Sequence, residues 1–206
     1  MGRICGTVFD FGGVMTTTTM PERVRAITRE LGIAWEVLEE GYRRYRRVMD
    51  GGFITIPELY DLLWADADVN IGEDDKARIV RADVESFMYR NERTLAWMRS
   101  LKARGLRIGI LTNMPPEFAV EFRRAFPDFI ALADAMVVSG EEKMFKPQRR
   151  IYDLLARRIG LDPAGLCFID DSAANCAGAL SAGWGAAVRF ESNDQAEREL
   201  EALLDG

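Results

Sequence analysis

From residue 91 onward the chain alternates in character. Short apolar runs at Arg107–Leu111, Ala135–Val138, Leu166–Ile169 and Ala186–Arg189 are separated by stretches of helical periodicity, at Glu92–Arg104, Pro116–Phe126, Gln148–Gly160, Ala173–Ala182 and Gln195–Leu204. A fifth apolar run, Cys5–Phe9, stands near the N-terminus. Strands alternating with helices specify a parallel sheet, because a parallel connection needs a crossover long enough to hold a helix. The crossover helices then cover both faces of the sheet, which is why these strands read as continuous apolar runs. The expected core is a Rossmann-like, doubly wound α/β sheet.

Residues 21–89 break this alternation with helical periodicity alone. "PERVRAITRELG" opens with Pro21 at a helix start and closes at Gly32. "AWEVLEEGYRRYRRVMDGG" closes on a glycine pair, and Thr55 precedes Glu58 by three residues, the spacing of a capping box. "EDDKARIVRADVESFMYR" supplies a fourth helix. The expected organisation is therefore an α/β core built from residues 1–15 and 90–206, with a small helical bundle of residues 16–89 inserted after the first strand. The "TTTT" tract at 16–19 marks the expected hinge.

Three strands end in reactive oxygens: "GTVFD" at Asp10, "IGILTN" at Thr112 and Asn113, and "LCFIDD" at Asp170 and Asp171. Open parallel sheets bind ligands beyond the carboxyl ends of their strands, so these groups are expected at one edge. Lys146, before a helix starting near Pro147, adds a cation to that edge. Asn175, four residues after Asp171, is expected to point the same way. Taken singly, each group also reads as a helix cap, a loop start or a surface residue.

The 206-residue chain contains no histidine, which removes His-based triads, imidazole bases and zinc sites built on histidine. Oxygen ligands without histidine suit Mg²⁺, which favours one or two carboxylates together with waters and phosphate oxygens. A carboxylate beside Mg²⁺ and a lysine is equipped to attack phosphorus. A net charge of −6 argues against a nucleic-acid partner. The basic cluster "YRRYRRVMD" reads either as a solvated helix face or as a guanidinium turned toward an anionic ligand. No apolar stretch is long enough to span a bilayer and no signal peptide is legible, so a cytoplasmic monomer or homodimer is expected. The three cysteines, Cys5, Cys167 and Cys176, do not form a disulfide framework, and Cys5 and Cys167 are expected to be buried.

Together, "VFDFGGVM", "ILTN", "KPQRRIY" and "FIDDSAANCAGALSAGW" resemble, in order and spacing, the four motifs of the haloacid dehalogenase superfamily, and the helical insert resembles its type-1 cap. The likeness extends over the whole chain and is nearest to the branch of α-glucose-1-phosphatases and epoxide hydrolase N-terminal phosphatase domains. The resemblance implies a Mg²⁺-dependent phosphatase acting on a small phosphorylated metabolite. Asp10 would be the nucleophile, forming an aspartyl-phosphate, and also a metal ligand. The backbone carbonyl of Gly12 and the Asp171 carboxylate would be further ligands, with Asp170 in support. Thr112 would hydrogen-bond the phosphoryl oxygens, helped by the backbone around Asn113, and Lys146 would bridge nucleophile and phosphoryl group. Where most phosphatases of the family carry an acid, this sequence has Gly12. The expected substrates therefore have leaving groups that need little protonation, such as acyl, aryl or anomeric sugar phosphates. A non-catalytic binding or regulatory protein on the same fold is the alternative, followed by a 2-haloacid dehalogenase. Phe53, in the loop "DGGFIT", is expected either to touch the leaving group or to be buried in a helix–helix turn.

Overall fold

The computed structural model describes residues 3–17 and 22–205. Thr18 and Thr19 of the tetrathreonine tract, and Pro21, lie outside the described residues. Five strands form one parallel sheet: β1 (Gly6–Phe9), β2 (Arg107–Thr112), β3 (Ala135–Val138), β4 (Leu166–Asp170) and β5 (Ala186–Arg189), in the order β3-β2-β1-β4-β5. Side chains on successive strand residues point to opposite faces. Val8 and Phe168 accordingly pack with α9 (Arg149–Ile159) and α10 (Ala173–Ser181), while Phe9, Ile110 and Ile169 pack on the other face with α5 (Glu92–Ala103) and α11 (Asn193–Asp205). The expected doubly wound fold is what the chain adopts. No helix of the described residues is long and apolar enough to cross a membrane.

Among the described residues, four helices lie between β1 and α5: α1 (Glu22–Glu30), α2 (Trp35–Asp50), α3 (Ile56–Asp66) and α4 (Glu73–Ser86). α3 starts with the expected capping box, in which the Thr55 hydroxyl accepts from the Glu58 amide and the Glu58 carboxylate accepts from the Thr55 amide. The capping side chain is worth about 1 kcal/mol. The chain leaves and re-enters the α/β layer at one place. Thr16 and Arg90 form an antiparallel bridge, flanked by Thr17 N–H donating to the Tyr89 carbonyl and Asn91 N–H to that of Met15, both at 2.9 Å. Near the far end of α2 the helical layer meets the core again. The Ser139 hydroxyl donates to the Asp50 carbonyl and Lys143 Nζ to that of Gly52. Gly52 sits at φ +68° against the Gly140 backbone, with no room for a side chain.

Between β2 and β3 the helix expected over Pro116–Phe126 is two helices, α6 (Pro116–Ala125) and α7 (Pro127–Leu132). Pro127 forces the break: the residue before a proline is pushed out of the helical region, and Phe126 sits at φ −124°, ψ 43°. α8 (Ser139–Glu142) is a single turn after β3 that the sequence reading missed. Cys5 is exposed, contrary to expectation, because β1 begins one residue later at Gly6; Cys167 and Cys176 are buried.

Candidate active site

Asp10 follows β1, the central strand, and is fixed there by its own N–H donating to the Ile169 carbonyl at 2.9 Å. Thr112 closes the neighbouring β2 and is buried; Asp170 closes β4 on the other side and is fully buried. The sheet order thus brings together residues that are far apart in sequence.

Lys146 is the link between them. Its Nζ donates to Asp10 Oδ1 at 2.7 Å, Asp170 Oδ2 at 2.7 Å and the Leu111 carbonyl at 3.1 Å. An ammonium carries three N–H donors, so all are used. The Phe168 ring, 5.2 Å from Nζ, adds a cation–π contact beneath it. Two contacts hold the lysine's backbone in place. The Asn113 amide accepts from Lys146 N–H at 2.8 Å and donates to its carbonyl at 3.1 Å. Pro147, joined to Lys146 by a cis peptide bond, lies against Gly178 of α10, where a Cβ would come within 2.7 Å of the proline ring. The Tyr152 hydroxyl, donating to the Asn175 carbonyl at 2.8 Å, fastens α9 to α10 at the same level.

The two acids of "DDS" are used differently. Asp170 accepts from Lys146, from the Ser172 amide at 2.8 Å, and from the Asn175 side chain at 3.0 and 3.2 Å. Its oxygens are committed to holding the site together. Asp171 is more exposed than Asp10 and Asp170, and its carboxylate, partly shielded from water, carries no side-chain partner among the described residues, whereas its carbonyl accepts from Arg189 Nε. Asn175 reaches the same edge as Asp171, as expected, and does so by bonding Asp170. The four-residue helical spacing does not apply, because α10 begins only at Ala173. Carboxylate oxygens of Asp10, Asp170 and Asp171 all lie within 4.8 Å of one another.

Crowding of this kind raises carboxyl pKa values. Burial pushes Asp10 up to about 7; Lys146 pulls it back, and Asp170 pushes it further up. Partial burial and Asp170 also raise Asp171. Burial opposes the charge on Lys146, but Asp10 and Asp170 overcome that effect and hold its pKa above the ordinary lysine value.

A cavity of about 80 Å³ stands over Asp10. Asp10, Gly12, Asn113, Lys146 and Asn175 line it from the sheet edge, and Arg46 of α2 and Phe87, which follows α4, line it from the helical layer. Of the basic cluster, Arg43, Arg44 and Arg47 are exposed, as a solvated face requires, while Arg46 turns inward. The solvated-face reading of "YRRYRR" holds for those three, while Arg46 lines the cavity. Phe53 is 56% exposed, so it is not buried in the helix–helix turn, and it is not among the residues that line the cavity. A Cβ built on Gly12 meets nothing within 4 Å, so space for a side chain stands open beside Asp10.

A family model for haloacid dehalogenase-like hydrolases matches residues 6–183. The chain belongs to the haloacid dehalogenase-like hydrolase family. Among individual relatives of this hydrolase, phosphatase MT3486 of Mycobacterium tuberculosis is 28% identical over 98% of both chains. The (S)-2-haloacid dehalogenase of Pseudomonas sp. strain YL is 31% identical, over 40% of this chain and 35% of its own. In structure, a HAD family enzyme of Bacteroides thetaiotaomicron, solved as a magnesium complex, superposes with a TM-score of 0.77 at 22% identity, covering 96% of this chain and 99% of that one. The same enzyme has also been solved with magnesium and inorganic phosphate.

Proposed function

We propose that this hydrolase is a Mg²⁺-dependent phosphatase that cleaves a small phosphorylated metabolite through an aspartyl-phosphate on Asp10. The observation that carries this reading is the grouping of the Asp10, Asp170 and Asp171 carboxylates within 4.8 Å of one another, with Lys146 paired to Asp10 and Asp170. Three clustered carboxylates with one ammonium paired to two of them suit a site completed by a divalent cation. Asp10, Asp171 and the Gly12 carbonyl would hold Mg²⁺, which when bound supplies positive charge to the phosphoryl oxygens. The relatives support the same reading: one is a phosphatase, and a structural neighbour binds magnesium and phosphate.

The chain's own residues would do the rest. Asp10 Oδ1 is held by Lys146, while Oδ2 has no hydrogen-bond partner among the described residues. The Asp10 carboxylate attacks phosphorus, and the bond to the leaving oxygen breaks with its electron pair. Water then attacks the phosphoryl group, releasing phosphate and restoring Asp10. Lys146 keeps the nucleophile ionised and oriented, and Asp170 keeps Lys146 in place. Thr112 and the backbone around Asn113 bind phosphoryl oxygens, and the helical layer acts as the cap that excludes water.

A 2-haloacid dehalogenase fits the cluster less well. It needs no divalent cation, whereas Asp10, Asp170 and Asp171 cluster as carboxylates that a divalent cation would neutralise. The decisive assay measures phosphate release from acetyl phosphate, p-nitrophenyl phosphate and α-glucose 1-phosphate, with Mg²⁺ and with EDTA. Release that requires Mg²⁺ supports the phosphatase. Halide release from a 2-haloacid without Mg²⁺, and no phosphate release, would replace it.

Gly12→Asp should increase turnover of substrates with poor leaving groups, by up to about 10²-fold, because a positioned acid contributes on that scale. A Cβ at Gly12 meets nothing within 4 Å, so the substitution starts without a clash at that atom. Equal turnover by a folded Gly12→Asp variant would mean that another group already serves the leaving oxygen.

The metal should also show in the stability profile. Asp10, Asp50 and Asp83 are buried with raised pKa values, so the fold binds protons more tightly than the unfolded chain. Their contribution to stability is full below the ordinary value of 3.8 and fades as the pH rises, for Asp10 through about 7. The melting temperature of the metal-free protein should therefore fall between about pH 4 and pH 7. Mg²⁺ should stabilise the fold more at about pH 8 than at about pH 5, since it competes with protons for the same carboxylates. Thermal melts with and without Mg²⁺ across this range check both signs; equal Mg²⁺ effects at both ends would contradict them.

A further inference from the structure

We infer that Arg46 stabilises the negative charge that develops on the leaving oxygen, replacing by electrostatics the proton that a carboxyl group at position 12 would supply. The inference rests on the phosphatase reading and deepens it. Phosphoryl transfer places the attacking and leaving oxygens roughly in line through phosphorus. With Asp10 attacking from the sheet edge, the leaving oxygen departs toward the helical layer. Arg46 lines the cavity from that layer.

The guanidinium is built into place. Arg46 Nε donates to Asp50 Oδ1 at 2.8 Å, and Nη1 donates to the Tyr42 hydroxyl at 2.6 Å. The Phe87 and Tyr42 ring centroids lie 5.2 and 5.5 Å from its central carbon. Behind it, Asp83 accepts from the Tyr60 hydroxyl at 3.0 Å and from the Tyr42 hydroxyl at 3.3 Å. Arg46 is thus the cavity end of a buried network joining α2, α3 and α4. Its Nη2 has no partner among the described residues. A guanidinium has five N–H donors, and these two bonds use two of them. Arginine does not deprotonate in proteins, so it cannot deliver the proton itself. A fixed donor aimed where charge develops can still be worth about 10²–10³-fold in rate.

This assigns a substrate class by reactivity. Arg46 can lower the cost of an oxyanion without removing it. Favoured substrates are therefore phosphoesters and acyl phosphates whose leaving oxygen is an aryl, acyl or anomeric one.

The test compares wild type, Arg46→Met and Arg46→Lys on aryl phosphates of graded phenol acidity and on one alkyl phosphate, all with Mg²⁺. Met keeps bulk but removes charge, and Lys keeps charge but removes the planar fork. Since Arg46→Met leaves Asp50 without its cation, the double variant Arg46→Met/Asp50→Asn is included, and circular dichroism verifies folding. With the charge removed, kcat/KM should fall a few-fold on p-nitrophenyl phosphate and about 10²-fold on the alkyl phosphate, steepening the dependence on leaving-group pKa. Arg46→Lys should recover part of the slope. A loss of equal size across the whole series would overturn the assignment and make Arg46 a structural residue of the cap. No Mg²⁺-dependent turnover by wild type on any member would overturn the phosphatase reading, and this inference with it.

Discussion

Asp10→Asn should abolish phosphate release while leaving the protein folded. Removing a covalent nucleophile costs about 10⁶-fold in a well-studied hydrolase triad, and a loss of at least about 10⁴-fold is expected here. The amide preserves the volume of the side chain and can still accept one hydrogen bond from Lys146. It cannot attack phosphorus. The substitution should also end any incorporation of phosphate into the protein, which intact-protein mass spectrometry of a rapidly quenched reaction with acetyl phosphate would show in wild type. Release at the wild-type rate from Asp10→Asn would place the chemistry elsewhere.

Lys146→Met should be the most destabilising single change at the site. Lys146 is 2% exposed and is the one cation between two carboxylates at 2.7 Å each. Removing one partner of a buried ion pair costs about 3–5 kcal/mol, because the charges left behind have neither water nor counter-ion. Here Asp10 and Asp170 would face each other directly. They would escape part of the cost by taking up a proton, so the destabilisation should be larger at about pH 8 than at about pH 5. Denaturant titrations at both pH values measure this. A loss below about 1 kcal/mol at neutral pH, the size of an exposed ion pair, would mean that the cluster is solvated.

The elements that carry the site were legible because several signals agreed. β1, β2 and β4 are apolar runs that stop at an acid or a hydroxyl, and parallel topology then gathers their ends at one edge. Lys146 is legible as a lysine before a helix near Pro147 and beside Asp10, although its second carboxylate partner, Asp170, is not. What remained hidden depended on contacts between segments far apart in sequence. Periodicity shows that α2 is a helix but not which of four arginines turns inward; the packing of α2 against α3 and α4 decides that Arg46 does. Asn175 reaches the same edge as Asp171, but its bonds to Asp170 follow from the turn at Ser172 that precedes α10 and not from a four-residue helical spacing. Phe126 looked like the last residue of a helix, and only the constraint from Pro127 shows that a second helix starts there. Cys5 lies one residue before the sheet begins, inside the usual uncertainty of an element end.

The place of Asp10 on the central strand bears on timing as well as geometry. β1 is hydrogen-bonded on both sides, to β2 and to β4, and the Asp10 amide continues that ladder through the Ile169 carbonyl. The freedom that a mobile nucleophile would have to give up in every catalytic cycle is instead given up once, when the sheet forms. The disordering that ends catalysis is then the opening of the sheet itself. Through its local fluctuations the protein should keep the backbone of Asp10, the proposed nucleophile, in register until the sheet opens.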